Sequence, residues 1–255
     1  MNLYYEISLF KLALSFLTRI PITINDYSEQ KLNEATGYFP AVGALIGVLL
    51  ALCYYFLSLA FPTPLAVTAV IAIGFLLTGG FHEDGLADVA DGFGGAFEPS
   101  KKLEIMKDSR LGTYGTLALI SLFAIKYQTL VASSVIPILL IGAHSISRVF
   151  ATSIIGKCAY VTEDGLSKVK PVAKKLSINA EHRLWTTFIA VCLLLFVLGV
   201  TFFQLLFMIM SCFALRYVLI IWFKKHINGY TGDCLGAAQQ MFEVLVYCLL
   251  LLFLD

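Results

Sequence analysis

Residues 78–115 read TGGFHEDGLADVADGFGGAFEPSKKLEIMKDSRLGTYG, with an apolar run on either side and six acids among the first twenty-seven residues. Apolar runs of this kind read as membrane spans, so the acid-rich insert sits at a membrane surface. Within it Asp84, Asp88 and Asp91 recur at i, i+4 and i+7. At 3.6 residues per turn the three carboxylates fall within about sixty degrees of one another on one helix face. Like charges so placed repel unless a cation sits among them. Hard oxygen ligands suit Mg²⁺, which takes a few carboxylates, waters and usually a substrate phosphate. The three aspartates are therefore the candidate metal ligands and Mg²⁺ the expected cofactor. Gly85 and Gly92 leave room where a ligand must come close. The second half of the stretch adds Lys101, Lys102, Lys107 and Arg110. Carboxylates that hold a metal beside Lys and Arg are the equipment of phosphoryl transfer. The plainer reading is a solvated acidic turn beside a solvated basic one, but exposed loops seldom crowd acids on one face in this way.

Working outward, 59% of the 255 residues are hydrophobic and 14% are charged, against about 25% charged in a typical soluble domain. This is the composition of an all-α, polytopic membrane helix bundle, a single integral membrane domain over 1–255. The net charge of +1 identifies no partner class, and no nucleic-acid partner is expected. The six cysteines (Cys53, Cys158, Cys192, Cys212, Cys234 and Cys248) show no metal-ligand spacing and read as small packing residues. Residues 1–20 carry Lys11 internally and no small-residue cleavage pattern before Pro21, so no cleavable signal is expected. With Glu6, Lys11 and Arg19 interrupting it, this segment reads as an interfacial amphipathic helix followed by a linker to residue 36. A poor first span is the alternative.

Seven further apolar runs cover roughly 38–61, 64–77, 116–132, 135–155, 184–202, 205–223 and 237–254; a span needs about 20 residues. The connections alternate between very short ones and three long polar segments, 78–115, 156–183 and 224–236. An odd number of spans puts all three long segments on one side, together with 21–37. Of the 18 Lys and Arg, only Lys126, Arg148 and Arg216 fall within spans; the rest lie on that same side, six of them (Lys157, Lys168, Lys170, Lys174, Lys175 and Arg183) in 156–183. The positive-inside rule makes that side the cytoplasm.

Ionisable residues inside spans are costly and face a bundle interior. His144 and Arg148 stand at i and i+4 on one helix. Arg148 either snorkels to the cytoplasmic surface or reaches a substrate phosphate, and a lone intramembrane histidine is more often hydrogen-bonded structure than ligand. Lys126 and Arg216 read as packing through internal pairs, with Glu243 one candidate partner. In the last long segment, Thr231, Gly232 and Asp233 resemble a turn and cap opening the final helix. Such an N-terminus can offer N–H groups to an anion, and Asp233 can bind metal or take a proton from an attacking hydroxyl.

With TGGFHEDGLADVADG, LEIMKDSRLGTYG and TGDCLGAA in view, the chain resembles cobalamin synthase, the adenosylcobinamide-GDP ribazoletransferase family. The likeness runs from SFLTRIPI and YFPAVGALIG to the last helix. It implies a Mg²⁺-dependent enzyme of the bacterial cytoplasmic membrane with its active site facing the cytoplasm. In that reaction α-ribazole, or its 5′-phosphate, attacks the diphosphate of adenosylcobinamide-GDP and releases GMP, a late step of cobalamin assembly. Carried over by motif, Asp84, Asp88 and Asp91 are the metal ligands. Lys107 and Arg110 bind diphosphate oxygens, and Asp108 binds metal or orients Arg110. Asp233 is the candidate base or extra ligand, with Thr231, Gly232 and Arg148 completing the substrate contacts. Assembly of several copies is left open. The chain departs from the pattern in three places: Glu83 replaces an apolar residue, Val161 and Thr162 stand where an arginine is expected, and Cys234 replaces a threonine. A CDP-alcohol phosphotransferase shares the logic, but Asp88 stands where its signature requires arginine. A divalent-cation transporter would place the acids near the bilayer midplane, often within internal repeats; here they lie in a long polar segment, and no repeat is evident.

Overall fold

A computed structural model of the chain describes residues 3–24, 26–161 and 175–255. These residues form eleven α-helices: α1 (Leu3–Leu17), α2 (Glu29–Ala35), α3 (Phe39–Ser58), α4 (Thr63–Thr78), α5 (Phe81–Gly95), α6 (Pro99–Met106), α7 (Thr113–Ala132), α8 (Ile136–Thr152), α9 (Ile178–Val197), α10 (Phe202–Ile227) and α11 (Gly232–Leu254). The one pairing of extended backbone among them is an isolated bridge between Tyr160 and Tyr230. Five helical runs, Glu29–Ser58 and α7, α9, α10 and α11, are each long and apolar enough to cross a membrane. Helices α4 and α5 qualify only as a pair, bent by 89°, and α8 is a shorter apolar helix. The chain is a multi-pass membrane protein whose spans number about as the apolar runs predict.

Helix α8 forms the centre. Every residue from Gly142 to Ile155 is buried, so α8 meets neighbouring helices on all sides and needs no lipid-length apolar stripe. Its closest neighbour is α3, approached through Gly43 and Gly47. A Cβ on Gly47 would stand 2.6 Å from Ile141 Cα, and one on Gly43 2.8 Å from Arg148 Cδ. Small residues four apart let two helix backbones touch, which is the main source of attraction between helices in lipid.

The helices reach further into the polar segments than the apolar runs do. Helix α10 continues through Lys224, Lys225 and His226 and is closed by Asn228 in the left-handed conformation (φ 59°). With α11 opening at Gly232, the segment 224–236 shrinks to a connection of four residues, 228–231. Cations in a last turn complement the helix dipole, so polarity here marks the membrane edge and not the helix end. Likewise 78–115 contains α5 and α6. Of 156–183, residues 162–174 lie outside the described residues, and with them Thr162, Lys168, Lys170 and Lys174.

Helix α1 lies along the same end of the bundle as the long segments. Near its start, the Glu6 carboxylate accepts hydrogen bonds from Arg183 Nε and Nη2 (2.8 Å each), in the first turns of α9, and from Tyr38 Oη (2.7 Å). Just past its end, Arg19 N–H donates to Leu77 O (2.8 Å) in the last turn of α4. Both contacts fall at one end of the spans, so this helix of about 22 Å runs across them, as an interfacial helix does.

The intramembrane cations are paired internally. Lys126 Nζ lies 2.7 Å from Glu243, the expected partner. Arg216 instead donates from Nε and Nη2 to the hydroxyl and carbonyl of Ser153 (2.8 Å each). A guanidinium fork suits the free carbonyls that end a helix, so Arg216 finishes α8 and does not meet Glu243.

Candidate active site

The 89° turn between α4 and α5 is made by Gly79 (φ 73°) and Gly80 (φ 67°). Two consecutive left-handed residues are cheap only for glycine. Helix α4 stops early, its Phe75 ring against Phe123, ten residues into α7 (centroids 4.9 Å apart). Helix α5 therefore leaves the α4 axis and runs back between α7 and α11, and the turn leaves a recess of about 460 Å³ walled by Phe75, Leu119 and Phe123 and floored by Gly79, Glu83, Asp84 and Ala87.

All three predicted carboxylates sit on α5, in steadily closer surroundings: Asp84 exposed, Asp88 half-buried, Asp91 buried. A fourth arrives from α11. A Cβ on Gly85 would stand 2.9 Å from Asp233 O, and one on Gly236 3.3 Å from His82 Cα. The two helices thus cross through their glycines, and the crossing sets Asp233 beside the acid face. The space Gly85 leaves is filled by α11, and that at Gly92 by Met106 and the Lys102 carbonyl. Both glycines serve helix packing and not the ligand approach expected of them.

Convergence of charge shows at Asp88. It is half-buried and lies within electrostatic reach of Asp84, Asp233 and Asp91. A carboxylate surrounded in this way is stabilised by a cation. Asp91 is engaged otherwise: its Oδ2 accepts from Gly112 N–H and its Oδ1 from Gly115 N–H (2.8 Å each). It thereby caps α7, whose first N–H groups have no partner of their own. A Cβ on Gly112 would stand 2.5 Å from that carboxylate, which accounts for glycine there. Among the described residues, no group of three or more His, Cys, Asp or Glu is arranged to hold a metal ion. Mg²⁺ is commonly bound through only one or two carboxylates, with water and substrate phosphates supplying the rest. An all-oxygen donor set short of positive charge fits that ion.

The segment 107–112 is drawn to the rim because Asp91 holds Gly112. Leu111 lines the recess. Arg110 beside it is exposed, and its guanidinium is gripped by Asp108: Nε lies 3.0 Å from both carboxylate oxygens and Nη2 2.5 Å from Oδ2. Asp108 thus orients Arg110, one of its two expected roles. Lys107 is exposed in the same turn. Thr231 caps α11 by accepting from Cys234 N–H (3.3 Å) and lies 3.4 Å from Asp233 Oδ2; the space beside Gly232 is open. The turn is braced by Val161 N–H to Tyr230 O and Tyr230 N–H to Ala159 O (2.9 Å each), which brings the segment 159–161 beside the site.

Arg148 is not brought to the acid face. It is 2% exposed, donates to its own helix at His144 O (2.7 Å), and lines internal cavities beneath α5 and the start of α11. It does not snorkel. Sequence reasoning also missed Glu83: this carboxylate turns into the bundle, accepting from Gln240 Nε2 (2.9 Å) with Lys126 at 3.7 Å. Its neighbour Lys126, already marked as an internally paired cation, was the available signal.

These features define a polytopic membrane protein with an anionic site recessed in one end of its bundle. Residues 9–251 match the family model described as cobalamin-5-phosphate synthase. Proteins named adenosylcobinamide-GDP ribazoletransferase align along almost their whole lengths. That of Shewanella amazonensis is 48% identical over 254 residues, 97% of this chain and 96% of the relative. That of Vibrio parahaemolyticus is 41% identical over 261 residues, 99% and 95%, and that of Vibrio cholerae 42% over 261 residues, 99% and 97%. No solved structure matches. The chain belongs to the cobalamin-5-phosphate synthase family and is an enzyme of the transferase class.

Proposed function

We propose that this enzyme joins α-ribazole, or its 5′-phosphate, to adenosylcobinamide-GDP with release of GMP, depends on Mg²⁺, and works in the bacterial cytoplasmic membrane with its site open to the cytoplasm. The observation that carries the reading is the crossing of α5 and α11, which brings Asp233 to the face of α5 that carries Asp84 and Asp88, with Asp84 lining the recess. In the reaction a hydroxyl oxygen of the ribazole bonds to one phosphorus of the diphosphate. The bond from that phosphorus to the bridging oxygen breaks, and GMP leaves with the electron pair. Such a displacement needs alignment and neutralisation of charge more than covalent help.

Asp84 and Asp88 would hold Mg²⁺, with Asp91 adding negative charge from behind. Bound there, the ion would neutralise the diphosphate and the charge developing on the leaving phosphate. Asp233 is set to accept the hydroxyl proton or to serve as a further ligand. The open space at Gly232 and the cap at Thr231 leave the start of α11 accessible to substrate. Arg110, oriented by Asp108, and Lys107 stand at the rim to meet the nucleotide's phosphates. A cation transporter finds less support, since the intramembrane Lys126 and Glu243 already neutralise each other.

Purified protein supplied with Mg²⁺, adenosylcobinamide-GDP and α-ribazole should release GMP; EDTA should stop the reaction and added Mg²⁺ restore it. Intact, lipid-reconstituted protein that releases no GMP with any divalent ion would overturn the assignment.

A further inference from the structure

Arg19 faces the same recess as Asp84 and is the cation among the described residues that line it. Its backbone is fixed by the bond to Leu77 O, and its side chain lies on Gly79. A Cβ at Gly79 would overlap Nε and stand 3.0 Å from Cζ and Nη2. Gly79, the first of the two glycines that turn α4 into α5, thus also leaves space for a guanidinium. Among the described residues no carboxylate or carbonyl accepts from that guanidinium. A role limited to ending α4 would have it donate to the last carbonyls of that helix, as Arg216 does to Ser153.

The other arginines near this end each have a partner in the fold. Arg110 is held by Asp108, Arg148 by His144, and Arg183 by Glu6. An exposed arginine whose five donors are unmatched among the described residues, fixed at its backbone and lining the same recess as Asp84, matches an oxyanion that a metal ties to that carboxylate. Planar, bidentate recognition of phosphate is what arginine does better than lysine. We infer that Arg19 is a substrate-binding residue that grips an oxygen of the diphosphate within the recess that Asp84 also lines. This rests on the proposed function, which supplies the diphosphate.

The test is equilibrium binding of inorganic pyrophosphate and of GDP, each with Mg²⁺, to the full chain in detergent, measured by calorimetry. Arg19→Gln should weaken both at least tenfold. Arg19→Lys should recover part of the loss, because charge returns without the fork, and Lys11→Gln, at an exposed position of α1, should bind as the wild type does. In turnover, Arg19→Gln should raise KM for the diphosphate substrate more than it lowers kcat, the mark of a grip formed already in the ground state. Melting curves verify that the variants fold; should Arg19→Gln melt early, Arg19→Lys carries the comparison. Unchanged affinity in Arg19→Gln, or in Arg19→Lys where only that variant folds, while GMP release persists, overturns the arginine's role alone. A wild type that binds neither probe and releases no GMP overturns this inference and the proposed function together.

Discussion

Asp84 and Asp91 share a face of α5 and meet opposite surroundings, one open to the recess, the other accepting two backbone N–H groups at the start of α7. Substitution should separate them. Asp91→Asn offers an amide NH₂ where one of those N–H groups needs an acceptor, so the fold should lose about 1.5–3 kcal/mol, the worth of a hydrogen bond to a charged group. This is readable as an earlier thermal melt in detergent. Asp84→Asn and Asp88→Asn should leave the melt near wild type and abolish GMP release. A wild-type melt for Asp91→Asn would remove its capping role. The shared face was legible because helical period is arithmetic. The cap was not, because its donors lie 21 and 24 residues downstream, beyond an intervening helix. Arg19 was hidden for a similar reason: it belongs to another segment and reaches the site only because α4 ends early and turns on two glycines.

Helix α5 is held from beneath as firmly as from its ends. Glu83 enters a buried set in which Lys126 Nζ lies 2.7 Å from Glu243 and donates to Gln240 Oε1 (2.6 Å), while Gln239 Nε2 reaches Glu243 Oε2 (2.7 Å) and Ser147 Oγ (3.0 Å). These bonds join α5, α7, α8 and α11. Lys126→Met would leave two buried carboxylates without their cation and should cost about 3–5 kcal/mol. Lys126→Met with Glu243→Met removes one charge of each sign, so the pair should melt later than Lys126→Met alone; an additive loss would mean the two do not interact. Helix α1 hangs on a different pair. The bond from Arg183, then that from Tyr38, holds the Glu6 carboxyl below its ordinary value of 4.5, against the opposing effect of burial. A depressed carboxyl stabilises the fold above its unfolded value and loses that contribution as pH falls through the folded one. Glu6→Gln should therefore be less stable than wild type near pH 7, with the gap closing below about pH 4.5. A gap independent of pH would place the effect in packing. Of these element-scale features, the helices and their order were legible from apolar runs. Their ends were not, because lysines and acids at a membrane edge are as compatible with helix as with loop.

At the scale of the whole molecule, the described connections at one end, 59–62, 133–135 and 198–201, contain no Lys or Arg, and Asp255 is bound there to Ser133 and Ser134. The other end carries Arg19, Lys31, Lys101, Lys102, Lys107, Arg110, Lys157, Lys175, Arg183, Lys224 and Lys225. Cations flanking spans are retained on the cytoplasmic side, where short connections decide orientation most strongly, so the asymmetry supports the proposed orientation, with this end in the cytoplasm. The recess with Asp84, the cap at Thr231 and the whole of α1 share the cationic end. A nucleotide-linked diphosphate is a cytoplasmic compound and too highly charged to cross the bilayer unaided, so the proposed chemistry requires this orientation. Alkaline phosphatase inserted at Pro62 or Gly199 should be active, since it folds only after export, and silent at Ser109. Green fluorescent protein at the same three positions should give the reverse. If phosphatase is active at Ser109 and silent at the other two, the carboxylates face the wrong compartment for their substrate, and no motif likeness would rescue the function proposed for them.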